Sequence, residues 1–187
     1  MTTALLDPPR DATAPDEGVA SELSEFVDGE VIERKPTGLE AGYAAGRVYK
    51  VLSNYEDAHG GTAFPDGSGF KAFGIDGTRT RFPDASYVAA GRMESVPRGV
   101  GRIAPDLCVE IVSPTDVYTD VREKAEEYLA GGVREVWLID PAVRVIDVLR
   151  PDSSQTFRAG ETAVSPDVLQ GLEVPVDGLF PAGVAAR

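Results

Sequence analysis

The chain is 187 residues long and carries a formal net charge of −13. That length suffices for one domain with a real core, and the acidic balance argues against broad, non-specific affinity for nucleic acid while leaving room for a local basic groove or a small anionic substrate. A lone cysteine, Cys108, excludes an internal disulfide and a cysteine-based metal cluster, and a lone histidine, His59, leaves little for a Ser-His-Asp triad or a multi-histidine metal site.

No apolar run is long enough to span a membrane, and the N-terminus lacks a basic-then-apolar signal, so the cytoplasm is the expected compartment. Residues 1–21 mix Pro, Asp, Ala and Thr without periodicity and read as a flexible tail ahead of a single domain over 22–187. Residues 25–33 read as a hairpin turning at Asp28-Gly29. Pro36-Thr37-Gly38 then breaks the chain before a helix over roughly 39–58, with apolar positions at Leu39, Tyr43, Val48, Val51, Leu52 and Tyr55. Glu40 lies in its first turn, where it complements the helix dipole, and His59 reads as a helix-terminal histidine.

Two strands follow, over about 62–73 and 80–89, with Gly67-Ser68-Gly69 interrupting the first and Asp76-Gly77 turning between them. Pro83 cannot donate to a ladder and marks the start of the paired segment or an edge. A Gly- and Pro-containing loop over 92–103 leads to Ala104-Pro105-Asp106-Leu107-Cys108-Val109-Glu110-Ile111-Val112-Ser113-Pro114, a short β-branched run with Pro near both ends. It reads as a buried strand, with Asp106, Cys108, Glu110 and Val112 on one face and Leu107, Val109 and Ile111 on the other. A carboxylate in the middle of a buried strand is costly unless a cation or hydrogen-bond donors meet it.

Val117, Val121, Ala125, Tyr128 and Leu129 then recur at helical spacing, predicting an amphipathic helix over about 116–130. Thr115 or Asp116 can cap it and Gly131-Gly132 ends it. At roughly 100° per residue Lys124 falls at the edge of the apolar stripe, while Arg122, Glu123, Glu126 and Glu127 point further round toward solvent. A strand over 135–140 completes a βαβ unit with parallel strands, so Lys124 can reach back toward Glu110. Taken by itself, Lys124 reads more readily as extending its ammonium to water. Residues 143–150 read as a hairpin partner of the preceding strand, and 155–158 as a further short strand. The rest is turn-rich, with Val168-Leu169 and Leu179-Phe180 able to cover an open sheet edge. No internal repeat is visible, and one α+β domain fits best.

Asp84, Asp106, Glu110 and Lys124 each have an ordinary reading: a turn residue, a strand start, a buried ion pair, a surface amine. Together, two strand carboxylates and a lysine suit metal-assisted phosphodiester hydrolysis. Hard oxygen ligands select Mg²⁺ or Mn²⁺, which lowers the pKa of a bound water and polarises phosphate, while an ammonium stabilises charge on the phosphate oxygens or orients the water.

Arg81-Phe82-Pro83-Asp84, the 105–114 block, Lys124-Ala125-Glu126-Glu127-Tyr128-Leu129-Ala130-Gly131-Gly132-Val133 and Val136-Trp137-Leu138-Ile139-Asp140-Pro141 resemble the Uma family of bacterial restriction-endonuclease-like proteins. The likeness runs from about Phe26 to Phe180. It implies the PD-(D/E)XK nuclease superfamily and a restriction-endonuclease-like mixed central β-sheet flanked by helices. Carried onto this chain, it makes Asp84 and Glu110 the metal-binding acids, with Mg²⁺ (or Mn²⁺) as the cofactor. The superfamily's usual lysine position is held by Val112, and the resemblance implies a migrated lysine at Lys124. Glu40 corresponds to an accessory glutamate on the first helix, but Ala41 stands where the family commonly has histidine; Asp106 is a second accessory candidate. The resemblance favours DNA as the nucleic-acid partner and makes a homodimer an expectation.

Two functional classes follow. The first is a metal-dependent nuclease using Asp84, Glu110 and Lys124. The second is a catalytically inactive nuclease-fold module for binding or assembly, which the negative charge supports. A carboxylate-pair glycosidase leaves Lys124 unexplained and ranks last.

Overall fold

The computed structural model describes residues 24–27, 30–33, 37–74, 77–114 and 116–182. The predicted tail over 1–21, the Asp28-Gly29 turn, Asp76 of the second predicted turn and the Thr115 cap therefore lie outside the described residues.

Strands β1 (Ser24–Val27) and β2 (Glu30–Glu33) pair antiparallel, and helix α1 spans Leu39–His59. Then come β3 (Thr62–Pro65), β4 (Phe70–Phe73), β5 (Arg79–Arg81), β6 (Ala85–Val88) and β7 (Leu107–Ile111). Helix α2 (Tyr118–Ala130) is followed by β8 (Glu135–Asp140), β9 (Val145–Arg150), β10 (Ser153–Arg158), β11 (Thr162–Ser165) and β12 (Leu169–Pro175), with a 3₁₀ turn at Val176–Leu179.

The central six-stranded sheet has the order β10-β9-β8-β7-β6-β3. Its β7–β8 pair is parallel and its other pairs are antiparallel, as a mixed sheet around one β7–α2–β8 crossover requires. The period-2 reading of β7 holds. Leu107, Val109 and Ile111 join Trp137 and Ile139 in the core under α1, whereas Cys108 joins Val136 and Leu138 under α2. Glu110 therefore faces α2, on the side of the sheet that Lys124 can reach.

Each predicted strand over 62–73 and 80–89 divides between two sheets. Strands β3 and β6 belong to the central sheet, while β4 and β5 join the β1–β2 hairpin in a four-stranded sheet ordered β2-β1-β5-β4. Gly67-Ser68-Gly69 and Phe82-Pro83 are the corners at which the chain changes sheets; Pro83, lacking an N–H, can sit where a ladder stops. The second sheet is what brings Glu25, Arg79 and Arg81 over α2.

Two helix details differ from the sequence expectation. The buried stripe of α1 runs through Ala41, Ala44, Val48, Leu52 and Tyr55, while Leu39 and Tyr43 are exposed. Small alanines let the first turns lie close to the sheet, and the larger apolar residues fall on the outer side. Helix α2 begins at Tyr118 with Val117 as its N-cap and no side-chain cap. Asp116 instead accepts the Ser113 N–H at 2.8 Å and fixes the turn that precedes the helix. At the other end the Gly131 N–H bonds to Glu127 O, and a Cβ at Gly131 would stand 2.7 Å from the Phe73 ring. The glycine there is a packing requirement as well as a stop signal.

The turn-rich C-terminal stretch contains the β11–β12 ribbon, which the sequence reading left out. Val168, Leu169, Leu179 and Phe180 belong to the α1-side core, together with Ile146, Val148 and Phe157 of the edge strand β10. His59 ends α1 as expected, with its ring stacked on Tyr55 at 4.1 Å.

Candidate active site

The pairing of β6 with β7 positions the two strand acids. Ala85 lies opposite Val109 and Ser86 opposite Cys108, so one further step along this register sets Asp84 against Glu110. The Asp84 N–H donates to Val109 O at 3.0 Å, and Asp84 Oδ2 accepts the Ile111 N–H at 2.7 Å. Asp84 thus grips the backbone on both sides of Glu110.

Glu110 is 8 % exposed. Its Oε1 accepts from the Tyr128 hydroxyl at 2.7 Å and its Oε2 from Lys124 Nζ at 3.1 Å. Both donors lie on α2 four residues apart, one turn of the same face. Lys124 does not run out to water: its ammonium is also 2.9 Å from Glu25 Oε1. Glu25 Oε2 in turn accepts from Arg81 at 2.7 Å, and Arg81 makes a two-pronged pair with Glu127, at 3.1 and 2.7 Å. Arg79 adds a third guanidinium contact to Glu127 at 2.7 Å. Glu127, expected to face solvent, is held inward because the second sheet covers that side of α2.

Charge in this cluster is unevenly balanced. Burial pushes the Glu110 carboxyl up to about 7; Lys124 opposes the rise and Asp84 reinforces it. Burial by itself would lower the Lys124 pKa, but Glu110 and Glu25 together outweigh it and raise it. Burial would likewise raise Glu25, yet Lys124 and Arg81 hold it below the ordinary carboxylate value. Lys124 is consequently an ammonium at neutral pH, whereas the charge of Glu110 is left incompletely compensated.

These groups border a cleft of about 570 Å³, whose walls include Glu25, Arg81, Asp84, Glu110 and Lys124, with Ile32 of the hairpin and Thr37 and Ala41 at the start of α1. Asp84, Glu110 and Lys124 are brought together. Glu40 is partly exposed in the first turn of α1 and is not among the residues lining this cleft. Asp106, on the same face of the β7 chain as Glu110, also lies outside it. Asp106 accepts the Ala89 N–H at 2.8 Å and pairs with Arg92 at 2.7 Å and Arg134 at 3.4 Å.

No cluster of three or more His, Cys, Asp or Glu side chains is poised to hold a metal among the described residues. Two carboxylates with hard oxygens are nonetheless the protein share that Mg²⁺ takes when water and phosphate complete its shell. The elevated Glu110 pKa fits such a centre, because a dication beside Asp84 and Glu110 would favour the ionised carboxylate that burial now disfavours. Glu25, Arg81, Glu127 and Tyr128 were missed as members of the cluster. Tyr128 was legible as core, and its spacing from Lys124 was the available signal for its hydroxyl; nothing local in the sequence marks Glu25, since it arrives from a different sheet.

The mixed six-stranded sheet with one parallel crossover and two flanking helices is a restriction-endonuclease-like α+β fold. A family model, Uma2, described as "Putative restriction endonuclease", matches residues 14–177, and the chain belongs to that family. Among solved structures it is similar to a crystal structure of "a putative nuclease belonging to DUF820" from Anabaena variabilis ATCC 29413, with 23% identity and a TM-score of 0.71 over 86% of this chain and 91% of that one. No functionally curated protein matches it. No helix among the described residues is long and apolar enough to cross a membrane.

Proposed function

We propose that the chain is a metal-dependent nuclease that hydrolyses phosphodiester bonds of nucleic acid, DNA being the favoured class, in the cleft between β7, α2 and the second sheet. The observation that carries this reading is the set of Asp84 and Glu110 side by side across β6 and β7 with the Lys124 ammonium 3.1 Å from Glu110. Membership in a family described as restriction endonucleases supports it.

Asp84 and Glu110 would hold the cation, Mg²⁺ or Mn²⁺, which supplies a water of lowered pKa and polarises the phosphate. Lys124 is kept protonated by Glu110 and Glu25, so its role is that of a fixed positive charge toward phosphate oxygens rather than that of a proton acceptor. Tyr128 and Asp84 hold Glu110 and its strand in place from opposite sides. Arg81 fixes Glu25, which in turn sets the direction of the Lys124 side chain.

One observation favours the second reading, an inactive binding module. Both Glu110 oxygens accept from protein donors, and Lys124 is shared with Glu25, so the cluster is internally paired before any substrate arrives. Calorimetric titration with Mn²⁺, native protein against Glu110→Gln, separates the two. Binding that is lost in the variant, together with cleavage of DNA oligonucleotides by the native protein in Mn²⁺, supports the nuclease. No Mn²⁺ binding by the native protein, with or without oligonucleotide present, overturns it in favour of the module.

A further inference from the structure

A second cleft, of about 600 Å³, lies on the other side of the Arg81–Asp84 corner, between the 92–103 loop and the strands below it. Its apolar lining includes Phe64, Phe70, Phe82 and Met93. Phe82 is half-buried and stands two residues from Asp84, so at most about 7 Å of chain separates the two clefts at this point.

The cleft is built rather than incidental. The loop pairs with β4 through Phe70 and Gly101: Lys71 N–H donates to Gly101 O at 2.7 Å and Gly101 N–H to Gly69 O at 2.9 Å. A Cβ at Gly69 would lie 2.6 Å from the Phe82 ring, and one at Gly101 would lie 2.9 Å from the Phe70 ring. Only glycine lets loop and rings come this close. The first residue of the loop is tied down by the Arg92–Asp106 pair, which gives Asp106 its place in the molecule.

Charge around this cleft runs against that of the chain. On a protein of net charge −13, the loop brings Arg92, Arg98 and Arg102 to the rim, opposed there by Glu94. Arg98 and Arg102 are exposed and make no ion pair or hydrogen bond among the described residues. An apolar pocket lined by aromatic rings, with guanidinium groups at its mouth, matches a nucleobase and its flanking phosphates. A base within a duplex is stacked on both faces and cannot enter, whereas an unpaired one can.

We infer that this cleft binds an unpaired base of a nucleic-acid strand, with Phe82 as the stacking surface and Arg98 and Arg102 on the phosphates, beside the first cleft. The inference rests on the nuclease reading for its substrate class, but not on catalysis.

The test is fluorescence anisotropy of a short labelled single-stranded DNA and its duplex in Ca²⁺, comparing native protein, Arg98→Glu/Arg102→Glu and Phe82→Leu. The native protein should prefer the single strand. The double charge reversal should weaken it at least tenfold and flatten its salt dependence by about the share of two phosphates. Phe82→Leu should weaken the single strand by roughly tenfold and leave the residual duplex affinity unchanged. Mn²⁺ titration of the double variant, matching the native protein, checks that the first cleft and the fold are intact.

Unchanged single-strand affinity in the double variant, or no single-strand binding by the native protein, overturns the inference. Displacement of the strand by hexaglutamate at comparable concentration reassigns the cleft to an acidic peptide. If the double variant loses the strand but unfolds at the native urea midpoint, while the native protein binds no Mn²⁺ and cuts nothing, the nuclease reading falls and the second cleft stands. If the native protein cuts DNA and both variants bind normally, the second cleft falls and the nuclease reading stands.

Discussion

Two carboxylates on one face of the β7 chain, four residues apart, have opposite fates. Asp106 is 1 % exposed and meets a backbone amide and two guanidinium groups whose own side chains stay half in water. Glu110 is almost as buried, but its partners are a phenol and an ammonium already shared with another acid, and its carboxyl titrates near 7. Burial therefore does not distinguish a structural acid from a site acid. What distinguishes them is whether the surrounding donors complete the charge or leave room for a further cation at a cleft.

The sharpest way to break this contrast is to remove the shared cation. Lys124→Met should lower cleavage at least about 100-fold and cost the metal-free protein about 3 kcal/mol in denaturant unfolding, because Glu110 and Glu25 would then lose the cation they share and keep only Tyr128 and Arg81 as side-chain partners. Retained cleavage in a folded Lys124→Met protein would demote the lysine to a structural ion.

Next come the two acids themselves. Asp106→Ala should cost about 2 kcal/mol, leaving the Ala89 amide unpaired, with Mn²⁺ affinity unchanged. Glu110→Gln should abolish Mn²⁺ binding and leave metal-free stability equal or higher, since it removes an incompletely compensated buried charge. If calorimetry and urea melts gave both variants the same pattern, the distinction between the two ends of β7 would be lost.

A pH series sharpens the comparison further. The folded-state pKa of Glu110 is raised above the ordinary carboxylate value of about 4.5 to about 7. Between those values the native state keeps a proton that the unfolded chain releases. The favourable contribution is thus fully present below about 4.5 and is lost as pH rises through about 7, a decline of roughly 1–3 kcal/mol in the metal-free protein. Glu25 and Glu127, both lowered, contribute with the opposite sign, losing stability as the solution is acidified. Native minus Glu110→Gln melts between pH 4.5 and 8 isolate the Glu110 part; a flat difference curve would contradict its elevated pKa. The smallest effect is expected from Tyr128→Phe, about 1 kcal/mol for one hydrogen bond to Glu110, together with a further rise in the Glu110 pKa that the same difference experiment reads.

Much of this was legible in the chain itself. Period-2 alternation placed Glu110 opposite the Leu107–Val109–Ile111 face, and helical phase placed Lys124 within reach of it, because both periods follow from local backbone geometry. The parallel β7–α2–β8 unit followed from the length of its crossover. The second sheet was not legible. Splitting 62–73 and 80–89 between two sheets depends on which strands find partners, and Glu25, some 85 residues before Glu110, is carried to the site by the pairing of β1 with β5, where Phe26 lies opposite Thr80. The second sheet also turned Glu127 inward, through its pairs with Arg79 and Arg81. Sequence by itself determined the secondary-structure periods, and with them the facing of Glu110 and Lys124, whereas the β6–β7 register set Asp84 beside them. Tertiary structure alone decided which other charges surround them, because the balance of a buried charge is set by groups close in space, wherever they lie along the chain.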